Sequence, residues 1–314
     1  MAPLTFIFSL LSLSQLFAGE AATFTIINSC DYTVWPGILS NAGVSQLSTT
    51  GFSLQKGESR AINIPSGWAG RFWGRTLCLT DTSTGKFTCQ TGDCGSGKMD
   101  CSGSGATPPA TLAEFTLDGA GGMDFYDISL VDGYNLPLSV TPRGGGGPNC
   151  SITGCVGDLN GYCPSDLRVM SDEDGGGRRA VACRSACAAF NSPQYCCSGE
   201  YGSPDTCKPS SYSAVFKKAC PRAYSYAFDD KSSTFTCGGS PDYTITFCPS
   251  PNTSQKASSS EEQGASSSDV PAVFNSTMVY EGAMEDASMP DSQVLCLQLI
   301  AAAITALITI LPLW

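Results

Sequence analysis

Chemistry in this chain has to come from carboxylates, hydroxyls and cysteines. Its 314 residues include 17 Cys and no His. That removes Ser-His-Asp and Cys-His catalysis, His-ligated zinc and haem, and imidazole pH switches. Asp127 is the most informative acid by position. On the run 124–131 it shares a face with Phe125, Ser129 and Val131, opposite Tyr126, Ile128 and Leu130. A carboxylate among apolar side chains is either paired or put to use, because burying a lone charge is costly. Asp132 precedes Gly133 and reads equally well as a turn residue. Asp230, beside Asp229 and before Lys231, reads equally well as a solvated loop acid. Two carboxylates across a cleft are the minimum for glycoside hydrolysis. One stays protonated to donate to the leaving oxygen, and the other acts as nucleophile or base. Like-charge crowding raises one of the two pKa values.

The elements that would hold these acids are mostly strands. Alternating or aromatic runs at 23–28, 59–64, 71–75, 112–117, 124–131 and 243–247 predict short strands, with 124–131 closed by the turn pair Asp132-Gly133. Many short strands with Gly and Pro punctuation indicate a mainly β fold, a β-sandwich. The stretch 150–220 differs. It holds nine cysteines and few alternating runs, with helical candidates at 179–190 and 211–220. It reads as a disulfide-rich loop and helix lobe. Sixteen of the 17 cysteines lie between Cys30 and Cys248, and the odd one is Cys296. An even set in an exported body means up to eight disulfides. Spacing alone leaves about two million pairings open. Without histidine, and with thiols spread along the whole body, no metal and no cofactor are expected.

Both ends read as processing signals. Residues 4–18 are mostly apolar and are followed by Gly19 and Ala21 at cleavage-compatible positions, so 1–21 is read as a secretory signal peptide. Residues 294–314 carry no charge and are long enough to cross a bilayer, with no Lys or Arg after them. Behind them lies the Ser-rich, acidic stretch 250–293, too poor in apolar residues to fold and read as a disordered stalk. This is the pattern of a glycosylphosphatidylinositol (GPI) signal, with Gly282 and Asp286 as candidate attachment sites, and a retained span as the alternative. Sequons stand at Asn149, Asn252 and Asn275. Net charge is −11, but residues 22–249 carry only −4 of it. That balance argues against nucleic acid, whose phosphates need clustered Lys and Arg. The chain is expected to be a monomer.

Several words of sequence carry a family resemblance. They are Ala22-Thr23-Phe24, Tyr32-Thr33-Val34-Trp35-Pro36, Gly85 to Cys94 continued to Cys101, Thr111 to Phe115, Gln194-Tyr195-Cys196-Cys197, Ala223 to Tyr226, and Thr246-Phe247-Cys248-Pro249. With the cysteine order, they make residues 22–249 resemble the thaumatin-like proteins, the fifth group of plant pathogenesis-related proteins. The resemblance implies the pairs Cys30–Cys248, Cys78–Cys89, Cys94–Cys101, Cys150–Cys237, Cys155–Cys220, Cys163–Cys183, Cys187–Cys196 and Cys197–Cys207. It also implies three lobes: an antiparallel sandwich (22–75, 110–156 and 221–249), a small lobe (76–109) and a disulfide lobe (157–220). A cleft between sandwich and disulfide lobe would carry Arg71, Glu114, Asp127, Asp132 and Asp230, all intact here.

Within that cleft Glu114 is the expected proton donor and Asp127 its partner. Trp73, Phe125, Tyr134 and Tyr226 are candidates for stacking on sugar faces, with core packing as the alternative for each. Arg222 is expected to temper the local negative field. Some members of the family cleave β-1,3-glucan weakly and many have no shown activity. The expected function is therefore that of a secreted, cell-surface defence protein, antifungal through an acidic cleft that binds β-1,3-glucan or another wall polysaccharide. It would be held at the extracellular face of the plasma membrane by a lipid anchor, or in the cell wall. The alternatives are a weak endo-β-1,3-glucanase using Glu114 and Asp127, and a wall-anchored sensor or inhibitor of a microbial hydrolase.

Overall fold

A computed structural model of the chain describes residues 22–171 and 178–250. The signal peptide, the stalk beyond Ser250, the apolar tail, and positions Asn252, Asn275, Gly282 and Asp286 lie outside the described residues. Among the described residues the strands are β1 (Ala22–Asn28), β2 (Trp35–Ser40), β3 (Ser59–Ile64), β4 (Ala69–Thr80), β5 (Phe87–Thr91), β6 (Leu112–Thr116), β7 (Asp124–Ser129), β8 (Leu138–Arg143), β9 (Thr153–Cys155), β10 (Arg168–Met170), β11 (Ala180–Cys183), β12 (Phe235–Cys237) and β13 (Asp242–Phe247). The helices are α1 (Ala186–Phe190), α2 (Pro193–Cys196), α3 (Ser211–Ala219) and α4 (Asp230–Ser233). No described helix is long and apolar enough to cross a membrane.

The protein is mainly β. One sheet has the order β3-β1-β13-β8-β9, and a second has the order β12-β7-β6-β4-β2 with β5 pairing on β4. Strand β1 shows why they pack: Ala22, Phe24, Ile26 and Asn28 are buried and the residues between them are not. Phe24 meets Trp68, Phe72, Phe115 and Tyr243, with ring centroids 4.6–6.5 Å apart. These rings, with Tyr126, Ile128, Leu138 and Ile245, form the core between the sheets. Every strand pairing is antiparallel except β1 with β13, which run parallel with Ile26 opposite Ile245. Cys30–Cys248 lies just past the ends of these two strands and joins residues 218 apart in sequence.

Seven more disulfides link Cys78–Cys89, Cys94–Cys101, Cys150–Cys237, Cys155–Cys220, Cys163–Cys183, Cys187–Cys196 and Cys197–Cys207. Cys78 and Cys89 also face each other in the β4–β5 register. Asn149 is exposed beside Cys150.

The stretch 179–190 is not one helix. Ala180–Cys183 pairs with β10, and Cys183 exchanges backbone hydrogen bonds with Tyr134. Only Ala186–Phe190 is helical, opened by Ser185, whose hydroxyl accepts from the Ala188 amide. Tertiary pairing overrides the helix propensity of the alanines there. The stretch 211–220 forms α3, opened by a capping box between Ser210 and Ser213.

The turn after β7 depends on Gly133. It has φ +95°, and a Cβ there would stand 2.6 Å from the Cys183 carbonyl oxygen. Gly133→Ala is expected to cost about 1–3 kcal/mol from backbone strain, with the clash in addition. A lower urea midpoint with an unchanged m-value checks this.

Candidate functional site

Register builds the site. On the second sheet Arg71 of β4 lies opposite Glu114 of β6, and Glu114 lies opposite Asp127 of β7. Directly paired residues share a face and bring their Cβ atoms to about 4.5–5.5 Å. The three side chains therefore form a row across adjacent strands. Their neighbours Phe72, Phe115 and Tyr126 point the other way, into the aromatic core. Asp132 follows in the Gly133 turn, and Asp230 opens α4.

The row sits in a poorly hydrated place. Asp127 is 6% exposed. Arg71 Nε is 3.8 Å from Glu114 Oε1, with side chains 23% and 20% exposed. That contact is an ion pair too long for a hydrogen bond. Both Arg71 Nε and Asp127 Oδ1 are buried without a hydrogen-bond partner. Burial pushes the Asp127 carboxyl well above the usual range, reinforced by Glu114 and Asp230 and opposed by Arg71. Burial also raises Glu114, but Arg71 draws it back, Asp132 pushes it up, and a Ser129 hydrogen bond lowers it. Asp132 is raised by burial and lowered by Arg71. Each of the five residues thus acts on at least one other: Arg71 on Glu114, Asp127 and Asp132, and Asp230 on Asp127.

Asp127 and Glu114 are both pushed toward their protonated forms, and they differ in surroundings. Asp127 lacks the close cation that Glu114 has, and it faces two other carboxylates.

The far side is fixed by residues that sequence reasoning passed over. The Tyr224 hydroxyl donates to Asp230 Oδ1 at 2.9 Å. The Tyr224 backbone is hydrogen-bonded to Ile128 and Leu130 at the end of β7. Lys217 of α3 places its ammonium 2.9 Å from Asp229 Oδ2, and donates to the Ala223 carbonyl and the Ser233 hydroxyl. Three acceptors match its three protons. Asp229 in turn accepts from the Ser225 amide and hydroxyl. The loop carrying Asp230 is thereby tied to α3. Lys217 lies one helical turn beyond the buried Ser213, and this spacing marks it as inward-facing.

Of the stacking candidates, Trp73 and Tyr134 are fully buried. The Trp73 indole donates to Gly92 O, and the Tyr134 hydroxyl donates to Gly157 O. Both are core residues. Phe125 is half-buried. Tyr226 lines a pocket with Leu130, Val131, Ser185, Tyr195 and Phe216, between the end of β7 and the disulfide-rich segments. Arg222 lies over the Phe235 ring and donates to Ser151 Oγ. The cation that lowers the acids of the row is Arg71. Among the described residues no group of Cys, Asp and Glu is arranged to hold a metal.

A disulfide-stapled two-sheet protein with an arginine and a row of acids on one sheet face is a well-defined class. The thaumatin family model matches residues 28–249, and the chain belongs to that family. It is 57% identical over 241 residues to thaumatin-like protein 1 of Arabidopsis thaliana, covering 75% of this chain and 89% of the relative. It is 53% identical over 241 residues to a Prunus avium protein named glucan endo-1,3-beta-glucosidase, covering 76% and 96%. It is 56% identical over 242 residues to PR5-like receptor kinase of Arabidopsis thaliana, covering 77% of this chain but 36% of that longer protein.

The raised Asp127 sets a pH dependence. A carboxyl whose native pKa lies above its unfolded value holds its proton more tightly when folded. Stability is therefore fullest below the ordinary Asp pKa of about 3.9 and falls as pH rises toward the native value. Asp127→Asn removes that loss. The variant is expected to have the higher Tm at pH 7, with the gap closing near pH 3. Calorimetry across that range checks it.

Proposed function

We propose that the protein is a secreted defence protein whose acidic groove binds β-1,3-glucan. One observation carries the reading: Arg71 Nε and Asp127 Oδ1, on either side of Glu114 in the same row, are both buried without a hydrogen-bond partner. A buried donor and acceptor left unmatched are costly unless something completes them. Sugar hydroxyls both donate and accept, so they suit this pair. The Prunus avium relative named as a glucan endo-1,3-beta-glucosidase supports the choice of polymer, and eight disulfides suit an oxidising, extracellular setting.

Weak endo-hydrolysis is the second reading, favoured by the unequal environments of the two central acids. Asp127 would donate the proton to the leaving oxygen. Glu114, beside Arg71, would serve as nucleophile or base. Titration with laminarihexaose, together with a reducing-sugar assay, separates the two. Binding without turnover, weakened about tenfold by Glu114→Gln in line with loss of a charged hydrogen bond, is the expected result. Turnover abolished by Asp127→Asn would replace it with the hydrolase. Absence of both would overturn both readings.

Anchoring is part of the same proposal. The uncharged run 294–314, behind a Ser-rich spacer, fits a GPI signal. Phosphatidylinositol-specific phospholipase C is expected to release the protein from membranes. Release by detergent alone would favour a retained span. A sensor role keeps some support from the receptor-kinase relative, and crosslinking to a protein partner regardless of added glucan would favour it.

A further inference from the structure

Apart from the acidic row, the described residues line an open cavity of about 550 Å³ with mixed polar and apolar walls. That size falls within the range of about 300–1,000 Å³ typical of small-molecule sites. Thr76 of β4 lines it, five residues on from Arg71, or about 16 Å along a strand. Its walls include Asp31 and Tyr32 after β1, Trp35 at the start of β2, Asp158 and Asn160 before β10, and Arg179 beside β11. The groove residues Glu114, Asp127, Asp132 and Asp230 are not among its walls.

We propose that this cavity binds an amino sugar, a ligand with a primary ammonium beside several hydroxyls. The hydrogen-bonding inventory of the walls selects it. Asp31 and Asp158 offer carboxylate oxygens, and Asp158 Oδ1 already accepts from the Asn160 amide. The side-chain amide of Asn160 donates to Asn135 O and Val181 O, which fixes its orientation. Its Oδ1 is buried and accepts nothing. The two carboxylates keep acceptor capacity beyond the one bond to the Asn160 amide, which a ligand rich in donors matches.

Charge points the same way. Two carboxylates against one guanidinium leave the cavity net negative, and all three act on the Tyr32 hydroxyl, so they share one locality. Such a field opposes a phosphate or carboxylate ligand and favours an ammonium. Tyr32 is 44% exposed and Trp35 half-buried, so aromatic faces are available to a cation or to the apolar face of a pyranose.

Calorimetric titration of the secreted protein with a glucosamine tetramer tests the site. Saturable, salt-sensitive binding is expected. Asp31→Asn should weaken it about three- to fivefold, the size of a solvent-screened ion pair. Arg179→Gln should tighten it by a similar factor, because a like charge is removed. Laminarihexaose affinity should not change with Asp31→Asn, so this site and the groove fail or stand separately. Equal binding of the fully N-acetylated tetramer would show that the ammonium is not read. Equal binding of spermidine would show that the hydroxyls are not read. Either result, an indifferent Asp31→Asn variant, or no binding at all would overturn the proposal.

Discussion

The pairing of β6 between β4 and β7 is the constraint on which the row of charges depends. Glu114 has Arg71 opposite on one side and Asp127 opposite on the other. Strand side chains alternate with period two, so a slip of one residue would turn Glu114 into the aromatic core and Phe115 outward. The core forbids that slip. Phe115 touches Phe24, Phe72, Tyr126 and Tyr243, and it is 1% exposed. The same contacts that hold the sheets together therefore set the spacing of the charges. The row inherits its rigidity from rings on the opposite face.

That rigidity explains how unfavourable electrostatics persist. Three carboxylates share the neighbourhood of one guanidinium, and burial raises all three. A looser frame would let the acids move apart or take up water. Here Tyr224 and the Lys217–Asp229 pair close the far side, and the Gly133 turn holds Asp132. Local strain at a site is tolerated where the surrounding structure over-determines it.

Local patterns in the sequence reveal some parts of this and not others. Strands β1 and β3 and helix α3 are legible because alternation or capping is carried by neighbouring residues. Strand β2 is not, because Pro36-Gly37 reads as a turn. It forms a strand because it lies at the end of its sheet, where a proline is tolerated. Strand β8 contains Pro142, which lies beyond the three residues that pair with β9. Residue types suggested that Asp127 was special. Its partners are 13 and 56 positions away, and only the register joins them. The groove set came from family likeness, whereas Tyr224 and Lys217 needed the fold. Trp73 and Tyr134 show the converse: aromatics close to the motif in sequence can belong to the core.

The parallel pair β1–β13 has a mechanical meaning. Both strands finish at the same end of their sheet, and Cys30–Cys248 welds the chain there. Tension applied through residue 249 reaches Cys248 first and passes across sulfur to Cys30. Strand β13 is shielded from being peeled off hydrogen bond by hydrogen bond. A tether on that side would tug on a covalent knot while the charged row on the other sheet kept its geometry.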